Sequence, residues 1–194
     1  MEKYMIFVLS YLLGSIPFSL IIAKIKGIDL REMGSGNIGV ANVARTIRDR
    51  KLVILALFLD SFKGFIAVCL VQQLFYSICH YFISAVLAII GHMFPIWLKF
   101  NGGKGVATTL GVLMALNIDM TLIFIFVWLL IFFIFRYFSL ASLTAIFITV
   151  IVSLFFQKDL FLFLLIVAVL LFLKHHRNIV NLFYGKECKF LSWN

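Results

Sequence analysis

Two prolines, three cysteines and eight acidic residues are few for a chain of 194 residues. Cys69, Cys79 and Cys188 lie far apart and show no metal-ligand spacing, which argues against a disulfide framework and a zinc site. Charged residues make up only 13% of the chain, whereas hydrophobic residues make up 64%. No polar stretch is long enough to form a soluble domain. The solvent for most of this chain is therefore lipid.

The shortage of acidic residues leaves a net charge of +9 at pH 7. The cations are scattered over short loops between apolar runs, and no separate domain carries a basic groove. We therefore expect no nucleic-acid partner. The charge instead favours anionic lipid headgroups or a phosphorylated substrate.

Long hydrophobic runs, each ending at charges or glycines, dominate the sequence. Seven lie at Met5–Ala23, Leu52–Leu74, Tyr81–Leu98, Val106–Leu116, Met120–Phe135, Phe138–Phe156 and Leu160–Leu173. About 20 residues are needed to cross roughly 30 Å of hydrocarbon, and the fourth run has about half that length. The sequence predicts an all-α integral membrane protein in which residues 1–194 form a single polytopic domain.

The distribution of Lys and Arg favours seven crossings over six, because cytoplasmic loops retain these residues. With seven crossings, every Lys and Arg outside the runs falls on one side except Lys3 and Lys158. With six, Arg136 and the basic tail would join the side that holds Lys3. We therefore predict seven transmembrane helices, an N-terminus outside and a cytoplasmic C-terminus.

Two glycine-rich polar loops interrupt this apolar chain. The first reads Gly-Ser-Gly-Asn-Ile-Gly at Gly34–Gly39 and is followed by Asn42 and Arg45, and the second reads Asn-Gly-Gly-Lys-Gly at Asn101–Gly105. Irregular backbone in a membrane protein survives where it is buried in protein or lines an aqueous cavity. Backbone N–H groups, a helix N-terminus and the cations Arg45 and Lys104 together describe an oxyanion receptor. The sequence predicts phosphate binding at a membrane surface, without ATP, because the nucleotide-binding spacing is absent.

Three further polar residues stand inside or at the ends of apolar runs. Asp60 and Lys63 are three residues apart and share one helix face, as an internal ion pair or as direct participants in a site. His92 precedes Pro95, and we favour a hydrogen bond from its ring to a backbone carbonyl that the proline leaves without a donor.

His175 and Asn178 follow the seventh run and share a helix face. They offer a titratable group and an amide to a substrate, or form a structural pair.

The motifs follow one another along the chain in this order: Gly14–Pro17, Gly34–Gly39 with Asn42 and Arg45, Asp60 with Lys63, Gly91–Pro95, Gly102–Thr108, and His175 with Asn178. Their order and spacing resemble the bacterial acyl-phosphate:glycerol-3-phosphate acyltransferases, the PlsY family, from Tyr11 to Gly185. The chain departs from the family pattern at Ala41, where a threonine is usual, which weakens any role of that position in substrate binding.

The resemblance implies an enzyme of the bacterial cytoplasmic (inner) membrane with its active-site loops on the cytoplasmic face. It would move a fatty acyl group from acyl phosphate to the 1-position of sn-glycerol 3-phosphate, giving lysophosphatidic acid and phosphate, the first step of phospholipid synthesis. Expected partners are these two substrates and membrane lipids, and we expect neither a metal nor another cofactor.

The resemblance also assigns roles to residues. Catalytic roles fall to Ser35, Arg45, Lys104, His175 and Asn178. Substrate and phosphate binding falls to Gly34, Gly36, Asn37, Gly39, Asn42, Gly102, Gly103, Gly105 and Thr108. Asp60, Lys63 and His92 are expected to hold these groups in place without contacting the substrate themselves.

Two alternatives concern mechanism and class. The proton of the attacking hydroxyl goes either to His175 or to the acyl phosphate's own oxygens, and we favour the second because no carboxylate–histidine dyad is present. An anion transporter would place polar breaks near the middle of its spans, related by a repeat. Here the glycine loops gather on one predicted side.

Overall fold

The computed structural model describes residues 2–47 and 49–190. This part of the chain is helical and contains no strand, which confirms the predicted all-α class. Its α-helices are α1 Glu2–Ser15, α2 Phe18–Ile25, α3 Val40–Thr46, α4 Arg50–Leu74, α5 Ile78–Met93, α6 Val106–Leu116, α7 Ile118–Phe135, α8 Phe138–Phe156, α9 Lys158–Lys174 and α10 His176–Phe183, with a short 3-10 helix at Ile96–Leu98.

Length and hydropathy make five segments of the described chain candidate membrane spans. They are Tyr4–Ile25, Arg50–Leu74, Ile78–Leu98, Ile118–Phe135 and Phe138–Phe156, and α9 with α10 becomes a sixth if that pair, bent by 65°, counts as one span. The fourth predicted run is a helix with the predicted bounds, α6, whose 11 residues cover only about 16 Å. The seven crossings and the outside N-terminus remain predictions.

The chain divides into two compact units, one ending at Leu116 and the other starting at Asn117. In the first unit, glycines allow the helix pairs α1–α5 and α4–α6 to approach closely. A Cβ atom on Gly14 would lie 2.0 Å from the carbonyl oxygen of Ala88, and one on Gly111 would lie 1.7 Å from that of Ser61. Small residues at such crossings are typical of helix packing in membranes.

A break separates α1 from α2 at Pro17, inside the first predicted run. Proline has no N–H group to continue the helix and disfavours helical geometry at the preceding residue. The carbonyl of Ile16 lies in this break. Downstream, the side chains of Leu30, Ile38 and Val43 are buried in an apolar cluster, which anchors the polypeptide on both sides of the first glycine loop.

The second unit consists of α7 to α10 and the following tail. α7 ends at Phe135, and the next residue, Arg136, has a φ of 61° in the left-handed region and turns the chain into α8. Gly185, at φ 65°, follows α10, and the tail returns so that the Phe190 N–H donates to the Arg136 carbonyl at 2.8 Å. The Phe190 ring contacts Phe132 and Phe138, which fixes the tail on α7 and α8.

Candidate active site

The side chain of Asn42 holds the first glycine loop in shape. Its Oδ1 accepts the Ser35 N–H at 2.8 Å, and its Nδ2 donates to the carbonyls of Leu30 and Met33, both at 2.9 Å. Gly34 has a φ of 61°, and a Cβ atom there would lie 2.2 Å from Asn42 Oδ1. Asn42 is 1% exposed. Its amide is therefore committed to the loop backbone, a task different from the predicted contact with phosphate.

Several backbone N–H groups of this loop, which were predicted to face phosphate, form hydrogen bonds within the protein. The Ser35 N–H is taken by Asn42, the Gly36 N–H donates to the Met33 carbonyl at 3.1 Å, and the Gly39 N–H donates to Asn37 Oδ1 at 3.0 Å. These bonds stabilise the turn and leave fewer N–H groups for a ligand. Ser35 itself is an exposed residue of the loop.

Two arginines near this loop differ in their surroundings. Arg31 grips the carboxylate of Asp29, with Nε 2.9 Å from Oδ1 and a second nitrogen on Oδ2. Hydrogen bonding to the Arg31 guanidinium holds the pKa of the Asp29 carboxyl well below its usual range. Arg45 lies half-buried in the last turn of α3, one turn after Asn42. Arg31 is thus committed to a carboxylate, and a phosphate-binding role for Arg45 stays a prediction.

The second glycine loop closes the end of α5 through its backbone. The Gly102 N–H donates to the Met93 carbonyl at 3.2 Å, and the Gly103 N–H donates to the His92 carbonyl at 3.0 Å. Two carbonyls ahead of Pro95 thus receive loop amides, and the bond from the ring of His92 to a carbonyl stays a prediction. These two N–H groups are consequently not directed at a ligand.

Lys104 precedes α6, whose first turn supplies the remaining amides. Gly105 adopts a φ of 83°, and the helix begins at Val106. The first N–H groups of an α-helix have no carbonyl partner within the helix and form an anion-binding end. Thr108 is fully buried in this turn, and its Oγ1 has no hydrogen-bond partner among the described residues.

Asp60 and Lys63 form the predicted internal ion pair. Lys63 Nζ lies 2.8 Å from Asp60 Oδ1, and the two side chains are 2% and 1% exposed. Lys63 Nζ also donates to the Ile16 carbonyl at 2.6 Å, in the break between α1 and α2. Ser19 Oγ donates to Asp60 Oδ2. The pair therefore joins α4 to the broken first span, which offsets part of the cost of burying two charges.

His175 and Asn178 lie in the second unit, at and just after the bend between α9 and α10. His175 is 2% exposed, and its Nδ1 lies 2.8 Å from the Leu171 carbonyl oxygen. A carbonyl only accepts, so Nδ1 carries the proton and Nε2 is the acceptor of the neutral ring. Asn178 Nδ2 donates to Glu187 Oε1 at 2.8 Å.

Glu187 was missed in the sequence. It is 8% exposed, and the oxygen that accepts from Asn178 also accepts from Ser139 Oγ at 2.7 Å. A carboxylate that accepts from Nδ2 fixes the orientation of the Asn178 amide. The available signal was an acidic residue two positions after Gly185, in a tail that is otherwise basic.

Residues 4–185 match the protein family described as glycerol-3-phosphate acyltransferase. The chain belongs to this family. A glycerol-3-phosphate acyltransferase of Wolbachia pipientis subsp. Culex pipiens (strain wPip) is 67% identical over 192 residues, covering 98% of this chain and 100% of the relative. One from Ehrlichia canis (strain Jake) is 45% identical over 186 residues, covering 95% and 96%.

Solved members of the family have the same fold. Crystal structures of PlsY, an integral membrane glycerol 3-phosphate acyltransferase, are similar with TM-scores of 0.93 for the glycerol 3-phosphate form and 0.91 for the lysophosphatidic acid form. Each is 36% identical, and the match covers 98% of this chain and 96% of the solved one. The resemblance in the motifs is thus confirmed, as is the prediction of an acyltransferase. The chain is an integral, multi-pass membrane protein.

The structure gathers the predicted residues of the family motifs into local groups. In the first unit, Asn42 accepts a hydrogen bond from the loop of Gly34 and Ser35, and the ring of His92 lies beside the carboxylate of Asp60. In the second unit, His175 and Asn178 are brought to the bend, with Glu187 added to them.

Proposed function

We propose that the protein transfers a fatty acyl group from acyl phosphate to the 1-hydroxyl of sn-glycerol 3-phosphate. The hydroxyl oxygen attacks the acyl carbonyl, the carbon–oxygen bond to phosphate breaks, and the products are lysophosphatidic acid and inorganic phosphate. The observation that carries this proposal is the position of Lys104, between two glycines and two residues before the first residue of α6, in a chain of this family. An ammonium and a helix N-terminus acting together suit a phosphoryl group.

The two phosphorylated substrates are assigned to the two glycine loops and their cations. Arg45 and Lys104 supply the positive charge that two phosphates require at close quarters, and Thr108 adds a buried hydroxyl to the first turn of α6. Ser35 and Asn37 contact one phosphate together with loop N–H groups. Gly34, Gly36, Gly39, Gly102, Gly103 and Gly105 let the backbone approach, and Asn42 fixes the loop that does so.

His175 and Asn178 are assigned to glycerol phosphate. The acceptor nitrogen Nε2 of His175 suits a hydroxyl donor, and the Asn178 amide is held by Glu187. Pre-oriented groups of this kind reduce the entropy lost when a hydroxyl is brought to a carbonyl. We favour proton transfer to the acyl phosphate's own oxygens, because phosphate is both the leaving group and a base beside the carbonyl.

The break in the first span does not favour the alternative of an anion transporter. A transport site leaves its polar groups facing a substrate near the bilayer midplane. Here the carbonyl of Ile16 is taken by Lys63, and Lys63 is taken by Asp60. The polar groups of this break satisfy one another.

The activity test uses purified protein in detergent or lipid, with acyl phosphate and glycerol 3-phosphate. Release of inorganic phosphate and formation of lysophosphatidic acid are expected in equal amounts, and each should require both substrates. Acyl-CoA in place of acyl phosphate should give no comparable turnover. Efficient transfer from acyl-CoA, or phosphate release without glycerol 3-phosphate, would contradict the proposed donor or acceptor.

The membrane arrangement is part of the same proposal. All residues 1–194 form one polytopic domain in the bacterial cytoplasmic membrane, with seven crossings, an outside N-terminus, and the glycine loops and the C-terminus in the cytoplasm. The asymmetry of Lys and Arg supports this orientation. Large apolar side chains exposed on the spans, such as Phe126, Phe133 and Phe155, suit contact with membrane lipids.

Cysteine labelling tests this topology. In a variant whose native cysteines are serines, single cysteines replacing Asp119 and Lys158 should react with an impermeant thiol reagent added outside intact cells. Cysteines replacing Asn101 and Lys186 should react only after the cells are opened. All four positions are exposed. Protection at Lys158 with reaction at Lys186 would mean that α6 does not cross the membrane.

A further inference from the structure

The ring of His92 lies directly against the loop that carries Lys104. A Cβ atom on Gly103 would lie 2.1 Å from His92 Nε2 and 2.9 Å from ring atoms Cδ2 and Cε1. The ring occupies this place because Gly103 has no side chain. The Gly103 N–H also donates to the His92 carbonyl at 3.0 Å. His92 thus touches the residue before Lys104 with both its ring and its backbone.

The other side of the ring faces the buried ion pair. His92 Nδ1 lies 3.8 Å from Asp60 Oδ1, the oxygen that is 2.8 Å from Lys63 Nζ. This separation is longer than a hydrogen bond, and it places the carboxylate beside the ring. His92 is buried, as are Asp60 and Lys63. The carboxylate is itself held by Lys63 and by Ser19, which fixes the direction from which it acts on the ring.

We infer that His92 is a positioning residue, which sets the backbone of Gly103 and thereby aims Lys104 and the first turn of α6 at a substrate phosphate. The chain of contacts runs from the Asp60–Lys63 pair through the imidazole to Gly103. This inference rests on the proposed function, because it assigns Lys104 to a phosphate of the substrates. By this inference the Asp60–Lys63 pair helps to position the loop that carries Lys104, in addition to joining α4 to the broken first span.

A double-mutant cycle between His92 and Gly103 tests the contact through its effect on turnover. His92→Ala should lower kcat/KM by about tenfold or more. A displacement of about 1 Å at a catalytic group costs on the order of a hundredfold, so even a smaller shift of Lys104 is measurable. Gly103→Ala should cost about a hundredfold in the wild type, since its Cβ meets the ring. In the His92→Ala background the same change should cost no more than about threefold, because the ring is gone.

Gly102 provides the matched control. A Cβ atom there would meet the His92 and Met93 carbonyl oxygens at 2.3 and 2.7 Å and Pro95 Cδ at 2.3 Å, none of which belongs to the ring. Removing the ring cannot relieve these contacts. Gly102→Ala should therefore cost as much in the His92→Ala background as in the wild type.

A second measurement reports the position of Lys104 without turnover. Pyridoxal phosphate condenses with lysine amines near phosphate sites, and borohydride reduction makes the adduct permanent. Peptide mapping should show a changed labelling rate at Lys104 in His92→Ala and an unchanged rate at the exposed Lys99. A purely structural role would change the thermal unfolding midpoint without this selectivity.

The outcomes separate the inference from the proposed function. An inactive wild type contradicts the proposed function, and the labelling rates then decide the inference alone. An active wild type with unaltered kcat/KM and Lys104 labelling in His92→Ala overturns the inference, as does a Gly103→Ala cost that is independent of His92. If His92→Ala fails to fold, His92→Asn removes Cε1 and Nε2 while keeping a polar group near Asp60, and the same cycle applies.

Discussion

Replacing Lys104 or Arg45 by alanine is expected to lower kcat/KM at least about a hundredfold, or about 2.7 kcal/mol of transition-state stabilisation, while the protein stays folded. Each change removes one cation from a site that must bring two phosphates together. A direct contact with phosphate inside the site is poorly screened by salt, so the loss in kcat/KM should change little with ionic strength. A loss that is larger at low ionic strength would instead indicate that the cation acts by long-range steering of the substrate. Steady-state kinetics with both substrates varied, and an unfolding midpoint for each variant, measure this.

Nearby cations without an assigned role are the controls. Arg31→Ala removes an exposed guanidinium that is already bound to Asp29, and Lys99→Gly removes an exposed ammonium at a residue whose φ of 51° glycine accepts. Both should retain most of the activity. Arg45→Lys should recover only part of it, since an ammonium cannot reproduce a bidentate fork. Near-normal turnover in Lys104→Ala or Arg45→Ala would remove that residue from the site.

Helices bounded by charge or glycine in the sequence were predicted well. α6 and α8 have the bounds of the predicted runs, because Gly105 and Arg136 end the apolar pattern sharply. The first run, predicted as one span from Met5 to Ala23, lies within a single candidate span, Tyr4–Ile25, but its helix is interrupted at Pro17. Apolar residues continue on both sides of the proline, so hydrophobicity alone did not reveal the break.

The sequence predicted the residue types of the site better than their partners. Glycine loops were expected to point their N–H groups at phosphate, yet those of Gly36, Gly102 and Gly103 donate to carbonyls of the chain. Such bonds depend on which carbonyls the fold leaves without a donor, as the end of α5 does for His92 and Met93. Spacing along the chain does not contain this information.

Glu187 shows the same limit over a longer distance. Its contact with Asn178 spans nine residues, and its contact with Ser139 spans 48. Both depend on the reversal at Gly185 and on the docking of Phe190 against α7 and α8. A single acidic residue in a basic tail gave no periodic pattern from which these contacts followed.

The second large effect concerns the base, and it depends on which nitrogen of His175 carries the proton. Because Nδ1 donates to the Leu171 carbonyl, Nε2 is the nitrogen that would take a proton, and this tautomer is compatible with either mechanism. With substrate-assisted proton transfer, His175 only orients glycerol phosphate. His175→Gln should then raise the KM for glycerol 3-phosphate by about tenfold and lower kcat only modestly.

General-base catalysis by His175 predicts a different result. Loss of the imidazole would lower kcat by about 10²–10⁴ and would erase a limb of the pH–kcat profile in the range where imidazoles titrate. Kinetic constants for the wild type and His175→Gln between about pH 5 and 9 separate the two, with His176→Gln as the control, since His176 is the exposed neighbour. His175→Asn keeps a donor for the Leu171 carbonyl and tests whether helix geometry alone is at fault. A collapse of kcat with an unchanged KM in both His175 variants, and normal kinetics in His176→Gln, would replace the substrate-assisted mechanism by one in which His175 takes the proton.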